Sequence, residues 1–162
     1  MNLGQTALAV LAAGGSALMA GTFFGFSSFI MPALQRLPSH QGVASMQSIN
    51  LVVLKSSFMP VFMGTALVSA VLLVVLARSW RESGVLFVLI GSSLYLVGVF
   101  GVTVAVNVPL NEALARVTLG RTEPDGEWVR FLEGWLPANH LRAAAGGVAA
   151  SLLIYGVWRS HS

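Results

Sequence analysis

Asn139, His140 and Arg142 fall within one helical turn and offer an amide, an imidazole and a permanent cation. An imidazole can act as a general base or acid, and a guanidinium or amide can hold a negative charge. The triplet adjoins a long apolar run, where ionisable groups are costly and are functional candidates by default. The competing reading has Asn139 capping a helix while His140 and Arg142 meet phosphate head groups. Asn107 and Asn111 stand four apart around Pro109, so both amides share a face if a helix persists. If it does not, Asn and Pro form a stop and the amides cap freed backbone groups. Phe23, Phe24, Phe26 and Phe29 crowd one helical stretch, either as an aromatic lining for a flat apolar ligand or as ordinary lipid and core packing.

Other chemistries lack their residues. The chain has no cysteine, which removes disulfides, thiolate nucleophiles and Cys-ligated metals. His40 and His140 are the usable histidines, because His161 is one residue from the end, and they form no short ligand motif. A metal or haem site stays open only on His140 with long-range partners, and no cofactor is predicted. There is no nucleophile elbow, Walker loop or dinucleotide fingerprint. A net charge of +3 without any basic run gives nucleic-acid binding no support.

These residues must be positioned by elements that are mostly apolar. Hydrophobic residues make up 56% of the chain and charged ones 9%, against about 25% charged in soluble domains, so lipid must cover much of it. With 162 residues there is room for a single domain, residues 1–162, read as an all-α bundle of four transmembrane helices. Spans are expected at about 6–31, 56–77, 84–106 and 137–158, by the length of uncharged sequence that crosses a hydrocarbon core. The first is read as a span rather than a cleaved signal, since no basic region precedes it and hydrophobicity continues past Ala20. The last is the weakest. Only 16 residues separate Arg142 from Arg159, so it must begin near Pro137 and carry Arg142 one turn inside, snorkelling or pointing inward. Gly21 with Gly25, and Ala143 with Gly147, allow close helix approach, read as packing within the bundle before a dimer seam. Nothing sets an oligomeric state.

Short amphipathic helices are expected in the connections after the first and third spans. In one, Val43, Met46, Ile49 and Val53 recur at helical spacing with Gln47 and Asn50 between them. In the other, a turn at Glu123-Pro124-Asp125-Gly126 precedes Trp128, Phe131, Leu132 and Trp135, giving a helix at about 127–136. Four spans put both termini on one side and both connections on the other. Arg78, Arg81 and Arg159 then face Arg36, Lys55, Arg116, Arg121, Arg130 and Arg142. Taken literally that places the connections in the cytoplasm. Because some of these arginines can serve a site, the orientation in the cell membrane stays undetermined.

Four segments in this order carry a resemblance: residues 21–34 (GTFFGFSSFIMPAL), 46–50 (MQSIN), 98–111 (GVFGVTVAVNVPLN), and Trp135 with Asn139-His140-Leu141-Arg142. Together they resemble the anthrone oxygenase-like membrane family, over nearly the whole chain. The family pattern usually has Trp before the Asn-His pair and Thr after the Arg, where this chain has Ala138 and Ala143. The resemblance implies oxygenation of a flat apolar phenolic substrate, as fungal members are associated with oxidising anthrones to anthraquinones. On that reading His140 is the base and Arg142 its catalytic companion. Asn107, Asn111, Asn139, Trp135, Gln47 and Asn50 bind substrate, and His140, Arg142, Asn107 and Asn111 should converge on one cavity. The rivals are a membrane protein that holds or transports a lipid, quinone or small apolar ligand without reaction, and a structural protein with no ligand.

Overall fold

A computed structural model describes residues 1–120 and 124–162. Among these residues all the regular secondary structure is helical, and four of the helices are long and apolar enough to cross a membrane. They are α1 (Leu3–Leu34), α3 (Phe58–Ser79), α4 (Val85–Ala115) and α5 (Asp125–Arg159), with the shorter α2 (Ser39–Val53) between the first two. Of the expected turn before α5, Glu123 lies outside the described residues, as does Arg121 from the charge count.

α1 starts on a reciprocal cap. The Asn2 side chain accepts from the Gln5 amide at 2.9 Å, and the Gln5 side chain accepts from the Asn2 amide at 2.9 Å. Two internal prolines then shape α1 and α4 in the same way. Proline lacks an N–H and its ring crowds the carbonyl four residues back, so the preceding turn gains by widening. In α1, residues Phe26–Ile30 form a π turn and the Met31 amide donates to the Phe26 carbonyl just before Pro32. In α4, residues Thr103–Asn107 do the same, with the Val108 amide donating to the Thr103 carbonyl just before Pro109. A further π segment, Tyr95–Gly101, opens on buried Tyr95, whose hydroxyl donates to the Phe62 carbonyl of α3 at 3.1 Å.

Three sequence expectations need correction here. The third span does not stop at its Asn-Val-Pro-Leu-Asn segment, because the π turn absorbs Pro109 and the helix runs on to Ala115. The fourth span does not start at Pro137, and no separate helix precedes it. Pro137 sits inside one 35-residue helix. Pro137 and Glu133, the residue whose carbonyl loses its donor, both lie on the exposed face. The opposite face anchors the helix on both sides of the proline with Trp128, Phe131, Trp135, Asn139 and Arg142, all buried. Finally, Gly21 and Gly147 have open space where a Cβ would stand, so these two glycines do not make the packing contact within the bundle that was expected of them. Close approach is made elsewhere, by Gly91 against Ala149 and Leu153, Gly98 against Ala145, and Gly146 against Ala20.

The core is layered along the bundle. At one end Ala9, Ala12, Leu72, Leu76, Val85 and Leu153 pack with Met1 and Val157, so both termini and the α3–α4 turn gather there. The Ser83 hydroxyl donates to the Arg159 carbonyl at 2.8 Å across that end. Gly84 makes the turn with φ +80, and a Cβ on it would meet the Gly156 carbonyl oxygen. The middle layer centres on Met19, Phe23, Phe62, Tyr95 and Ala149. At the far end α2 lays Val43 and Met46 against Leu114, Trp128 and Phe131, as its helical spacing predicts. Gly42 lets the Trp128 indole lie directly on the α2 backbone. The Ser39 hydroxyl meets the Asp125 carboxylate, tying the starts of α2 and α5 together. Outside, Val10, Leu11, Leu18, Phe24, Leu67 and Val74 are exposed, a surface suited to lipid and not to water.

Candidate functional site

Arg142 points inward. Its side chain is only 4% exposed, although it sits beside the apolar middle layer. The guanidinium lies over the Phe23 ring at 4.2 Å and the Trp135 ring at 5.2 Å. It donates to Asn139 Oδ1 at 2.7 Å and to Thr103 Oγ1 at 3.1 Å. Among the described residues no carboxylate pairs with it, and its Nε has no partner. Among the described residues, two aromatic faces and two neutral oxygens therefore surround this buried positive charge.

Asn139 extends this network. Fully buried, it passes hydrogen bonds from its Nδ2 to the Phe23 carbonyl at 2.8 Å and to Ser27 Oγ at 2.7 Å. Both acceptors belong to the α1 segment at the π turn, and Thr103 opens the π turn of α4. The two proline-induced turns thus aim their oxygens at the same α5 turn. Asn107, 1% exposed, donates to the Trp135 carbonyl at 3.3 Å, while its Oδ1 and the Trp135 indole N–H remain unpartnered.

The four residues expected on one cavity, His140, Arg142, Asn107 and Asn111, do not share one. Arg142, Asn139, Asn107 and Trp135 gather inside the bundle, but His140, next in sequence to Asn139, is turned outward. It lines an open apolar groove of about 520 Å³ between α1 and α5, with Ala20, Gly21, Phe24, Ser27, Ser28, Ala143 and Ala144. Consecutive helix residues differ by about 100° around the axis, which is why the imidazole and the guanidinium part company. Ser27 is the one residue common to the groove and the buried network. Its Oγ accepts from Asn139, and its own proton has no acceptor among the described residues. The line Arg142 to Asn139 to Ser27 therefore ends on a hydroxyl able to donate into the groove beside His140.

Asn111, Gln47 and Asn50 do not join this site. They line a separate cavity of about 460 Å³ between α2 and the end of α4. Gln47 spends its amide N–H groups on the Leu114 carbonyl at 2.9 Å and the Val117 carbonyl at 3.1 Å, closing the C-terminus of α4. Among the described residues no three His, Asp or Glu side chains cluster as metal ligands would.

Sequence reasoning missed Ser27 and Thr103 as site residues. The signal that marks them is position, since each lies in the turn immediately upstream of a proline within a span. Of the four phenylalanines, Phe23 is buried under Arg142, whereas Phe24 and Phe29 are exposed on the outer surface.

No curated protein and no solved structure matches the chain. A family model does, that of anthrone oxygenase, over residues 57–152, which takes in α3, α4 and most of α5. It covers more than half of the sequence, including Thr103, Asn107, Asn139, His140 and Arg142, and the chain belongs to the anthrone oxygenase family.

Proposed function

We propose that the chain is a multi-pass protein of the cell membrane that oxygenates a flat apolar phenolic substrate in the groove between α1 and α5. The observation that supports this reading is the hydrogen-bonded line from Arg142 through Asn139 to Ser27, ending beside His140 in one groove. Its volume, about 520 Å³, falls among the roughly 300–1,000 Å³ typical of small-molecule sites. An anthrone carries an acidic methylene conjugated with a carbonyl. His140 takes one methylene proton, and the Ser27 hydroxyl donates to the carbonyl oxygen as it becomes an enolate. The electron pair left on carbon reduces dioxygen, forming a C–O bond. Loss of the second C–H proton with cleavage of the O–O bond leaves a new carbonyl and releases water. Arg142 and Asn139 act as positioning residues, since they reach the substrate only through Ser27.

The test incubates purified protein in lipid nanodiscs with anthrone under oxygen and follows quinone formation. His140→Ala loses the yield above background. Ser27→Ala, which removes one oxyanion donor, slows turnover about a hundredfold. Equal yields from wild type and His140→Ala defeat the mechanism. The openness of the groove on the lipid-facing side supports a second reading, in which a lipid, quinone or small apolar compound is held and not transformed. Mass spectrometry of extracts from the purified protein separates the two, because a co-purifying aromatic compound without anthrone turnover favours holding.

A further inference from the structure

The cavity between α2 and the end of α4 shares no residue with the His140 groove. Its apolar wall is made by Leu51, Leu54 and Val108, and its polar side by Asn50, Asn111 and Glu112. Two amide atoms there are buried without a hydrogen-bond partner, Asn50 Nδ2 and Asn111 Oδ1. One is a donor and the other an acceptor, and leaving such a pair unsatisfied is costly. The other ends of the two amides, Asn50 Oδ1 and Asn111 Nδ2, are the accessible ones, and a hydroxyl group matches them, since it donates to the first and accepts from the second. The Glu112 carboxylate at the same cavity disfavours an anionic head, which separates an alcohol or phenol from a fatty acid. Leu51 and Leu54, 69% and 63% exposed, continue the apolar wall out to the surface, where the tail of such a molecule can lie.

We infer that this cavity is a second binding site, for a neutral apolar molecule bearing one hydroxyl group, held by Asn50 and Asn111. Gln47 braces it by fixing the end of α4 against α2. The site is independent of the oxygenation reading and stands or falls apart from it.

The test is photolabelling of the purified protein in nanodiscs with a diazirine-bearing long-chain primary alcohol, mapped by mass spectrometry of the peptides. Labels are expected within residues 47–54 and 108–115. Excess dodecanol or 2-naphthol should displace them, while dodecanoate at the same concentration should not. Which of the two displaces better tells an aliphatic from a phenolic ligand. Glu112→Gln, on the exposed side, should let dodecanoate compete. Asn50→Leu and Asn111→Leu should each reduce labelling about tenfold, and His140→Ala should leave it unchanged. Labels dispersed along the lipid-facing helices, competition by dodecanoate equal to that by dodecanol on the wild-type protein, or a loss of labelling in His140→Ala would overturn the inference.

Discussion

Among the described residues Arg142 is a cation held without an anion, and its stability depends on the oxygens around it. Burying a charge is expensive, and removing one partner of a buried charge usually costs more than replacing the whole arrangement by apolar groups. Asn139→Ala leaves an Arg142 N–H without its acceptor and the Ser27 hydroxyl without its donor. It should destabilise the protein by about 1–3 kcal/mol, seen as an earlier thermal transition in detergent. The double change Asn139→Leu with Arg142→Met removes the charge together with its partner, and should melt at or above the single variant while being inactive. A double variant melting well below Asn139→Ala would mean that the charge itself holds the bundle. At this scale the sequence was partly legible. Asn107, Asn139 and Arg142 stand out because an apolar context makes each polar group conspicuous. Ser27 and Thr103 do not, because hydroxyls in such helices ordinarily bond back to their own backbone. Ser28 does so to the Phe24 carbonyl at 2.7 Å, and Thr103 itself does so to the Val99 carbonyl at 2.7 Å. Only the partner across the bundle distinguishes a site hydroxyl from these.

Among the elements, the π turns of α1 and α4 carry the link from sequence to site. Each widened turn accommodates one residue beyond the regular α-helical count, and π bulges of this kind are frequent at functional positions. Read from sequence, Pro137 is a helix start and Pro109 is either a helix stop or a point the helix runs through, because a proline's missing donor is visible there while the neighbour that compensates is not. The structure uses Pro32 and Pro109 to shape a helix interior instead. Phe29 lies in the first of these turns and is 64% exposed, so it adds little to the core. Deleting Phe29 should let the turn close to regular α-helix while the segments on either side keep their packing. The bundle should stay folded, with helical circular dichroism unchanged and a single monodisperse peak on size exclusion. Ser27 should lose its register with Asn139, and anthrone turnover should fall at least about tenfold, the worth of roughly one hydrogen bond at the site. Full turnover in a folded deletion variant would show that the π turn does not position the groove.

The whole molecule is a bundle whose outer surface is apolar, and the groove with His140 opens on that surface and not on either end. Its depth comes from small residues, since Ala20, Gly21, Ala143 and Ala144 leave space that larger side chains would fill. The fold class and the first three spans were legible because hydrophobic length alone dictates them, whereas the fourth was legible only once the polar turn with Asn139 and Arg142 was counted into it. The role of Gly21 was not, because a small residue reads equally as a packing seam or as the floor of a groove until its neighbours are known. A Cβ at Gly21 meets nothing within 4 Å, and the same is true of Gly147, which lies on α5 outside the groove. The pair makes a controlled test of access from the bilayer. Gly21→Leu and Gly147→Leu should both fold, and each should gain up to about 0.5–1 kcal/mol in helix preference by replacing a mid-helix glycine. Only Gly21→Leu puts a side chain into the groove. It should lower kcat/KM for anthrone by about tenfold or more, mainly through KM, because the leucine occupies volume that the substrate needs and leaves His140 and Ser27 in place. Gly147→Leu should keep wild-type kinetics. If both variants lose activity equally, the effect comes from helix stiffness or lipid packing, and the groove is not the route by which an apolar substrate reaches His140.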